Sequence, residues 1–100
     1  MAQYILAYFG GKKPETPEAG QEQMVKWQAW IEGLGEAVLN PGTPLMKSKT
    51  LNAMGETEGG MLNGFAVLKA DSMEDALEMA KGDPFLETGT IQVSEMMQIH

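Results

Sequence analysis

The chain has 100 residues, of which 43% are hydrophobic, and its 14 acidic and seven basic side chains give a formal net charge of −7. This length and composition fit one globular domain around one core. The excess of acid argues against binding to nucleic acid or to an anionic membrane surface, because both carry negative charge.

The residue types that are missing exclude several chemistries. The chain has no cysteine, which rules out disulfides, thiolate nucleophiles and cysteine-bound zinc or iron–sulfur clusters. No apolar run approaches the roughly 20 residues that a membrane helix needs, and the first residues lack the basic start of a signal peptide. We expect a cytoplasmic protein without metal or cofactor, in which the single histidine, His100, is a frayed terminus.

The first half of the chain predicts a strand, a helix and a short second strand. Gln3–Phe9 is apolar on both faces, which is typical of a central strand. Thr16-Pro17-Glu18 is typical of a helix start. The helix then carries one apolar stripe, made of Met24, Trp27, Ile31, Leu34 and Val38. Gly33 and Gly35 are expected to end the helix before Val38, and Glu36–Leu39 predicts a short strand.

The next segment predicts two strands joined as a hairpin. Met46–Met54 and Asn63–Ala70 are both strand-like, and the second is the more apolar. The polar, glycine-rich segment between them, residues 55–60, is suited to a hairpin connection.

The last third predicts a helix and a final strand. Ser72 is expected to cap the helix, and Gly82 with Pro84 is expected to end it. Its buried face is predicted to contain Ala76, Leu77 and Ala80. Residues 91–99 alternate apolar and polar side chains, which is typical of a strand with one wetter face.

The order of these elements predicts an α+β domain over residues 1–100. It is β-α-β-β-β-α-β, or β-α-β-β-α-β if the second and third strands are one interrupted strand. Two split β-α-β units form an antiparallel sheet with both helices on one face. The opposite apolar face then needs a cover, which a second copy of the chain supplies most simply. We therefore expect a homodimer that pairs through its sheet faces.

Five segments, spread over the chain in a fixed order, also form a recognisable set. They are Tyr4–Tyr8, Trp27–Gly35, Asn63-Gly64-Phe65, Ala70–Ala76 and Gly82–Leu86. Together they resemble the YCII-related proteins of the dimeric α+β barrel superfamily. The resemblance implies a ferredoxin-like β-α-β-β-α-β fold with an antiparallel sheet. It also implies a dimeric α+β barrel, in which two sheets stack across a two-fold axis and each protomer has a cleft.

The resemblance implies candidate chemistry as well. Some family members are linked to a histidine–aspartate pair proposed to transfer protons, and a relative is a dehydrochlorinase that acts on a chlorinated hydroxyquinol. The aspartate of that pair matches Asp83. The place of the histidine, in the first helix, is held by Met24, whose thioether neither accepts nor gives a proton at physiological pH.

Asp83 is the candidate catalytic residue. As a base it would need surroundings that raise its pKa towards neutrality. Alternatively, it is a turn residue that accepts backbone N–H bonds before Pro84.

Four side chains are candidates for the wall of a ligand pocket: Met24, Trp27, Tyr8 and Phe85. Such groups commonly line pockets for small aromatic ligands. Methionine and aromatic residues at helical spacing are more commonly plain core, however, and a buried tyrosine more commonly has a structural partner. Trp30 is expected at the edge of the helix stripe, at a cleft or at the dimer contact.

Other polar side chains have two interpretations each. Tyr4 shares a strand face with Tyr8, and either hydroxyl can donate to a ligand or to a structural partner. Lys47 and Lys49 share a strand face and either attract an anionic group or protect a sheet edge. Glu95 is either a carboxylate in the cleft or part of a polar rim.

Three functions stay open on the sequence alone. The first interpretation is a small-molecule-binding or regulatory homodimer without catalysis, which Met24 at the histidine position favours. The alternative is a cofactor-free enzyme of lyase or dehydrochlorinase type, with Asp83 as acid or base on an aromatic substrate, because a desolvated carboxylate alone can act as a base. A purely structural interaction module would leave the pocket-type residues unexplained.

Overall fold

The computed structural model describes residues 2–11, 15–58 and 62–98. Its strands are β1 (Ala2–Phe9), β2 (Val38–Asn40), β3 (Lys49–Asn52), β4 (Gly55–Glu58), β5 (Leu62–Ala70) and β6 (Thr90–Glu95). Its α-helices are α1 (Pro17–Leu34) and α2 (Met73–Ala80), and 3₁₀ turns occur at Gly35–Ala37 and Pro84–Glu87.

The main sheet has four strands in the order β2-β5-β1-β6, and every neighbouring pair is antiparallel. In this sheet β1 therefore lies between β5 and β6, and β2 lies at the edge beside β5. This is the ferredoxin-like arrangement of two split β-α-β units. The predicted α+β fold and the central position of the first strand are confirmed.

The edge next to β5 is formed by one interrupted strand. Val38 in β2 lies opposite Leu68. After a short excursion the chain returns to the same edge, where Pro44 pairs with Gly64 in an isolated bridge. The main sheet thus follows the order β-α-β-β-α-β, but its interrupted edge strand continues at Pro44 and not, as predicted, in the strand that begins at Met46, because β3 belongs to a separate sheet.

The excursion turns at Gly42, whose N–H donates to Asn40 Oδ1 over 2.8 Å. Gly42 has a positive φ of 74°, and a Cβ on it would overlap the Phe65 carbonyl group. Only glycine meets both conditions without strain.

The predicted hairpin is wrong in its pairing. Asn52 Oδ1 accepts the Met54 N–H over 2.8 Å, and Gly55 has a positive φ of 123°, so the chain turns back at residues 53–54, before the expected connection at residues 55–60. β3 pairs with β4 in a separate two-stranded sheet, and β5 pairs with β1 and β2 instead. The side chain of Met54 is 95% exposed at the tip of this hairpin.

The core lies between the sheet and the two helices. Alternate residues of the two central strands are buried on one face: Tyr4, Leu6, Tyr8, Ala66, Leu68 and Ala70. From α2, the small side chains of Ala76 and Ala80 are buried, four residues apart on one helix face. Leu77 was predicted to join them but is 44% exposed, because one residue further along a helix turns the side chain by about 100°.

Both predicted helix starts are confirmed. The Ala19 N–H donates to the Thr16 hydroxyl oxygen and the Asp75 N–H donates to the Ser72 hydroxyl oxygen, each over 3.1 Å. Helix α1 ends at Gly35, which has a φ of 57°, so it stops before Val38 as expected. In the described part of the chain, neither helix combines the length and apolarity needed to cross a membrane.

The last strand is shorter than predicted. β6 ends at Glu95, and Met97 beyond it is 84% exposed. Ile99 and His100, to which we assigned a strand end and a frayed terminus, lie outside the described residues.

Candidate functional site

A cavity of about 330 Å3 lies between α1, the end of β1, the start of β5 and the turn after α2. It is lined by Tyr8, Gly20, Gln23, Met24, Trp27, Pro41, Thr43, Pro44, Gly64, Phe65, Pro84, Phe85 and Thr88. No acidic or basic side chain occurs among these described lining residues. The wall is thus mainly apolar, with few polar groups, as is typical of small-molecule pockets.

The aromatic part of the wall is built around Phe85. Its ring stacks on that of Tyr8 with the centroids 4.9 Å apart and the planes at 20°. A Cβ on Gly11 would come within 2.6 Å of the Phe85 ring, and one on Gly89 would overlap it as well. Both glycines therefore leave the space that the ring fills.

Asp83 occupies the first position of the turn that carries Phe85. Its side chain is 2% exposed, and Asp83 Oδ1 accepts the Phe85 N–H over 2.9 Å. Asp83 Oδ2 is buried with no hydrogen-bond partner in the described part of the chain. Asp83 does not line the cavity itself, but Pro84 and Phe85 directly after it do.

The Tyr8 hydroxyl and the Asp83 carboxyl act on each other. Burial raises the pKa of Asp83, while the Tyr8 hydroxyl and the Phe85 N–H lower it in part. Burial, and then the Asp83 carboxylate, raise the pKa of Tyr8, and the Trp27 side chain lowers it slightly. Tyr8 Oη, like Asp83 Oδ2, has no partner with hydrogen-bond geometry among the described residues. The two groups therefore interact without a well-aligned hydrogen bond between them. Tyr8 is therefore a hydroxyl donor at neutral pH, and the Asp83 carboxyl holds its proton more tightly than a free one.

The two tryptophans of α1 lie in different surroundings. Trp30 packs against the core, and its Nε1–H donates to the Met79 carbonyl oxygen over 2.8 Å. Gly82 leaves room for it, because a Cβ there would lie 2.9 Å from the indole. Trp30 thus joins the two helices and is not among the residues that line the cavity. Trp27 lines the cavity and is half-buried.

Met24, one turn before, is 49% exposed and also lines the cavity. No residue of α1 is fully buried, and the predicted apolar stripe serves two surroundings along its length. The first half of the helix faces the cavity, whereas Leu34 packs against the core.

The remaining sequence candidates lie away from the cavity. Tyr4 is 2% exposed and packs with Ala70 and Ala76. Lys49 forms an exposed ion pair with Glu56 over 3.4 Å. Lys47 precedes β3 and so does not share its strand face, contrary to expectation. Glu95 is exposed at the end of β6, which fits the polar-rim interpretation.

Several lining residues were not identified from the sequence. Pro41, Thr43 and Pro44 approach the cavity from the interrupted edge strand, and no local pattern places that loop near α1. Gly20 carries a usable signal, because it lies four residues before Met24 and seven before Trp27, on one helix face.

The described residues contain no group of three or more His, Cys, Asp or Glu side chains placed to hold a metal ion. The polar side chains that line the cavity are those of Gln23, Thr43 and Thr88, whereas the Tyr8 hydroxyl oxygen and Asp83 Oδ2 are buried behind its wall.

Comparison with known proteins places this fold in context. A solved structure of 5-chloro-2-hydroxyhydroquinone dehydrochlorinase from Burkholderia phenoliruptrix AC1100, in complex with 2,5-dihydroxybenzoquinone, is similar with a TM-score of 0.61. Sequence identity is 18%, and the match covers 94% of this chain and 93% of that one, so the likeness shows a shared fold. No curated protein matches the sequence significantly. The YCII-related domain model matches residues 1–100, and the chain therefore belongs to the YCII-related family.

Proposed function

We propose that this single domain is a small-molecule-binding protein of the cytoplasm, which takes a small aromatic ligand in the cavity next to Tyr8 and Phe85. The cavity of about 330 Å3 carries this proposal, because it falls in the usual size range of ligand sites and its wall is apolar with few polar groups. Trp27 and the Tyr8–Phe85 stack offer flat surfaces on which an aromatic ring packs well.

Binding is tested by NMR titration of the isotopically labelled chain with 4-hydroxybenzamide, a small neutral phenol. We expect the largest amide shifts at the lining segments 41–44, 64–65 and 84–88, with saturation. Trp27→Ala should weaken the binding, whereas Val25→Ala, on the outward side of the same helix and 65% exposed, should not. The absence of shifts at millimolar probe, or shifts confined to the β3–β4 hairpin, would contradict the proposal.

We also propose that the protein acts as a homodimer. Both helices cover one side of the sheet, and the other side carries Ile5 opposite Val67 and Ala7 opposite Phe65. These four residues, here named the open face, are half-buried within one copy of the chain. A second open face would cover this apolar patch in a self-complementary way, as two-fold symmetric dimers do.

Sedimentation at micromolar concentration tests the dimer. We expect twice the mass of the chain for the natural sequence and a shift towards the monomer for Val67→Lys, which places a charge on the open face. Val25→Lys adds the same charge on the outside of α1 and should leave the mass unchanged. A monomeric natural sequence would overturn the dimer proposal.

A second candidate function is cofactor-free acid–base catalysis. It is favoured by the buried Asp83, which has one unpartnered oxygen and a raised pKa, as general acids and bases commonly do. The structurally similar protein is a dehydrochlorinase by name, so 5-chloro-2-hydroxyhydroquinone is the probe. Chloride release that is lost in Asp83→Asn would support catalysis, and no release above the buffer rate would exclude this substrate.

A further inference from the structure

Gln23 differs from the other polar groups at the cavity. It lies in α1, is half-buried and lines the cavity. Its side-chain amide forms no hydrogen bond within the described part of the chain. The hydroxyl of Tyr8 is buried behind the wall, whereas the amide of Gln23 keeps accessible surface. A molecule that covers this amide must replace the hydrogen bonds that water supplies, or it loses affinity.

The two threonine hydroxyls of the wall donate to the protein itself. Thr43 Oγ1 donates to the Pro44 carbonyl oxygen and Thr88 Oγ1 donates to the Phe85 carbonyl oxygen, each over 3.4 Å. Because a hydroxyl has a single proton, each threonine offers a ligand the lone pairs of its oxygen. No described lining residue is charged, so these residues recognise a polar group by hydrogen bonds rather than by an ion pair.

Gln23 lies beside the aromatic part of the wall. It is four residues before Trp27, which places the two side chains next to each other on one face of α1, with their Cβ atoms about 5–6 Å apart. Thr88 directly follows Glu87, whose Oε1 lies 3.4 Å from Lys26 Nζ of the same helix. A polar group attached directly to an aromatic ring on Trp27 would therefore come within reach of Gln23 and Thr88.

We propose that the cavity selects an aromatic ring that carries a primary carboxamide, and that Gln23 recognises this group. Two primary amides pair in one plane, since each donates an N–H to the carbonyl oxygen of the other. The remaining N–H of the ligand then donates to the Thr88 hydroxyl oxygen. A ketone of the same shape has no proton to donate and leaves the Gln23 carbonyl oxygen unpaired. The inference rests on the proposed binding function and adds the chemical class of the ligand.

NMR titration of the isotopically labelled chain with benzamide and with acetophenone tests this selection. The two probes have nearly the same shape, but acetophenone has a methyl group in place of the amide nitrogen. We expect benzamide to shift the side-chain Nε2–H signals of Gln23 and not those of Gln28, which is exposed on the same helix and does not line the cavity. Binding of benzamide without a shift of the Gln23 side-chain signals would overturn the proposal.

Two matched variants assign the selection to Gln23. The natural sequence should bind benzamide at least about fivefold more tightly than acetophenone, the worth of one hydrogen bond. Gln23→Leu removes the amide at about the same size and should reduce this preference to within about twofold. Gln28→Leu makes the same change outside the cavity and should leave the preference as it is. Circular dichroism confirms that each variant is folded.

The outcomes separate this inference from the function on which it rests. If acetophenone shifts the lining segments and binds as tightly as benzamide, binding stands and the carboxamide selection is wrong. If the preference for benzamide is unchanged in Gln23→Leu, the role of Gln23 is wrong. If neither probe shifts the lining segments at millimolar concentration, both the binding function and the selection fail.

Discussion

The ring of Tyr8 lies on the ring of Phe85, with the centroids 4.9 Å apart. This contact joins the end of β1 to the 3₁₀ turn that begins after Asp83. It therefore connects the sheet to the segment that holds the buried Asp83 carboxyl, and it forms part of the cavity wall.

Removal of the Phe85 ring should destabilise the protein. We expect Phe85→Ala to lower the free energy of unfolding by about 3 kcal/mol, near the lower end for the removal of a core phenylalanine because Phe85 is half-buried. Leu86→Ala is the neighbouring control. Leu86 is 45% exposed, so its truncation should cost less than about 1 kcal/mol. Urea unfolding measures both, and similar losses for the two variants would contradict the role of the stack.

The raised pKa of Asp83 predicts how stability changes with pH. Between its unfolded pKa, about 3.9, and its higher folded pKa, the native state binds more protons than the unfolded state. The contribution of Asp83 to stability is therefore most favourable below about pH 4 and is lost as the pH rises through the folded pKa. The Asp83→Asn variant has no such loss. Its free energy of unfolding, relative to that of the natural sequence, should therefore increase as the pH rises from 4 to 7.

Urea midpoints at several pH values measure this difference. Asp71→Asn removes the same formal charge at an exposed position and controls for overall charge. A gain for Asp83→Asn that shrinks with rising pH would show that the carboxyl is stabilised as the anion instead.

The two tryptophans should separate stability from binding. Trp30→Phe loses the bond from Nε1–H to the Met79 carbonyl oxygen and should cost about 1 kcal/mol, the worth of one hydrogen bond, since the Gly82 N–H still donates to that oxygen. Trp27→Phe should cost less, because that indole faces the cavity, but should weaken ligand binding more. Thermal unfolding of both variants measures the predicted difference in stability, and the NMR titration measures the predicted difference in ligand binding. Equal effects of the variants on both measurements would contradict the assignment.

Two glycine-to-alanine changes of the same size should have opposite signs. Gly42 has a positive φ and its added Cβ would overlap the Phe65 carbonyl group, so Gly42→Ala should destabilise the chain by more than about 2 kcal/mol. Gly33 lies inside α1 with open space around an added Cβ, so Gly33→Ala should stabilise it by about 0.5–1 kcal/mol. A melting temperature that rises in Gly42→Ala would contradict the described turn, and one that falls in Gly33→Ala would contradict the open space at that helix position.

The site could be predicted only in part. Tyr8, Met24, Trp27 and Phe85 were selected for their residue types, and all four line one cavity. The position of Trp30 in the core was not foreseen, since it lies three positions after Trp27 on the same helix and that spacing fits either side. What decides it is α2, whose Met79 carbonyl lies within reach of Trp30.

The sequence by itself determined the local elements, because their causes are local. Thr16 and Ser72 cap the helices with their own hydroxyls, and the alternation along β1 sets which side chains face the core. Tertiary structure decided what depends on distant segments. The return of Pro44 to the sheet edge and the burial of Asp83 arise from contacts between residues far apart in the chain. The cavity is a product of these contacts, since five separate segments of the chain must meet before it exists.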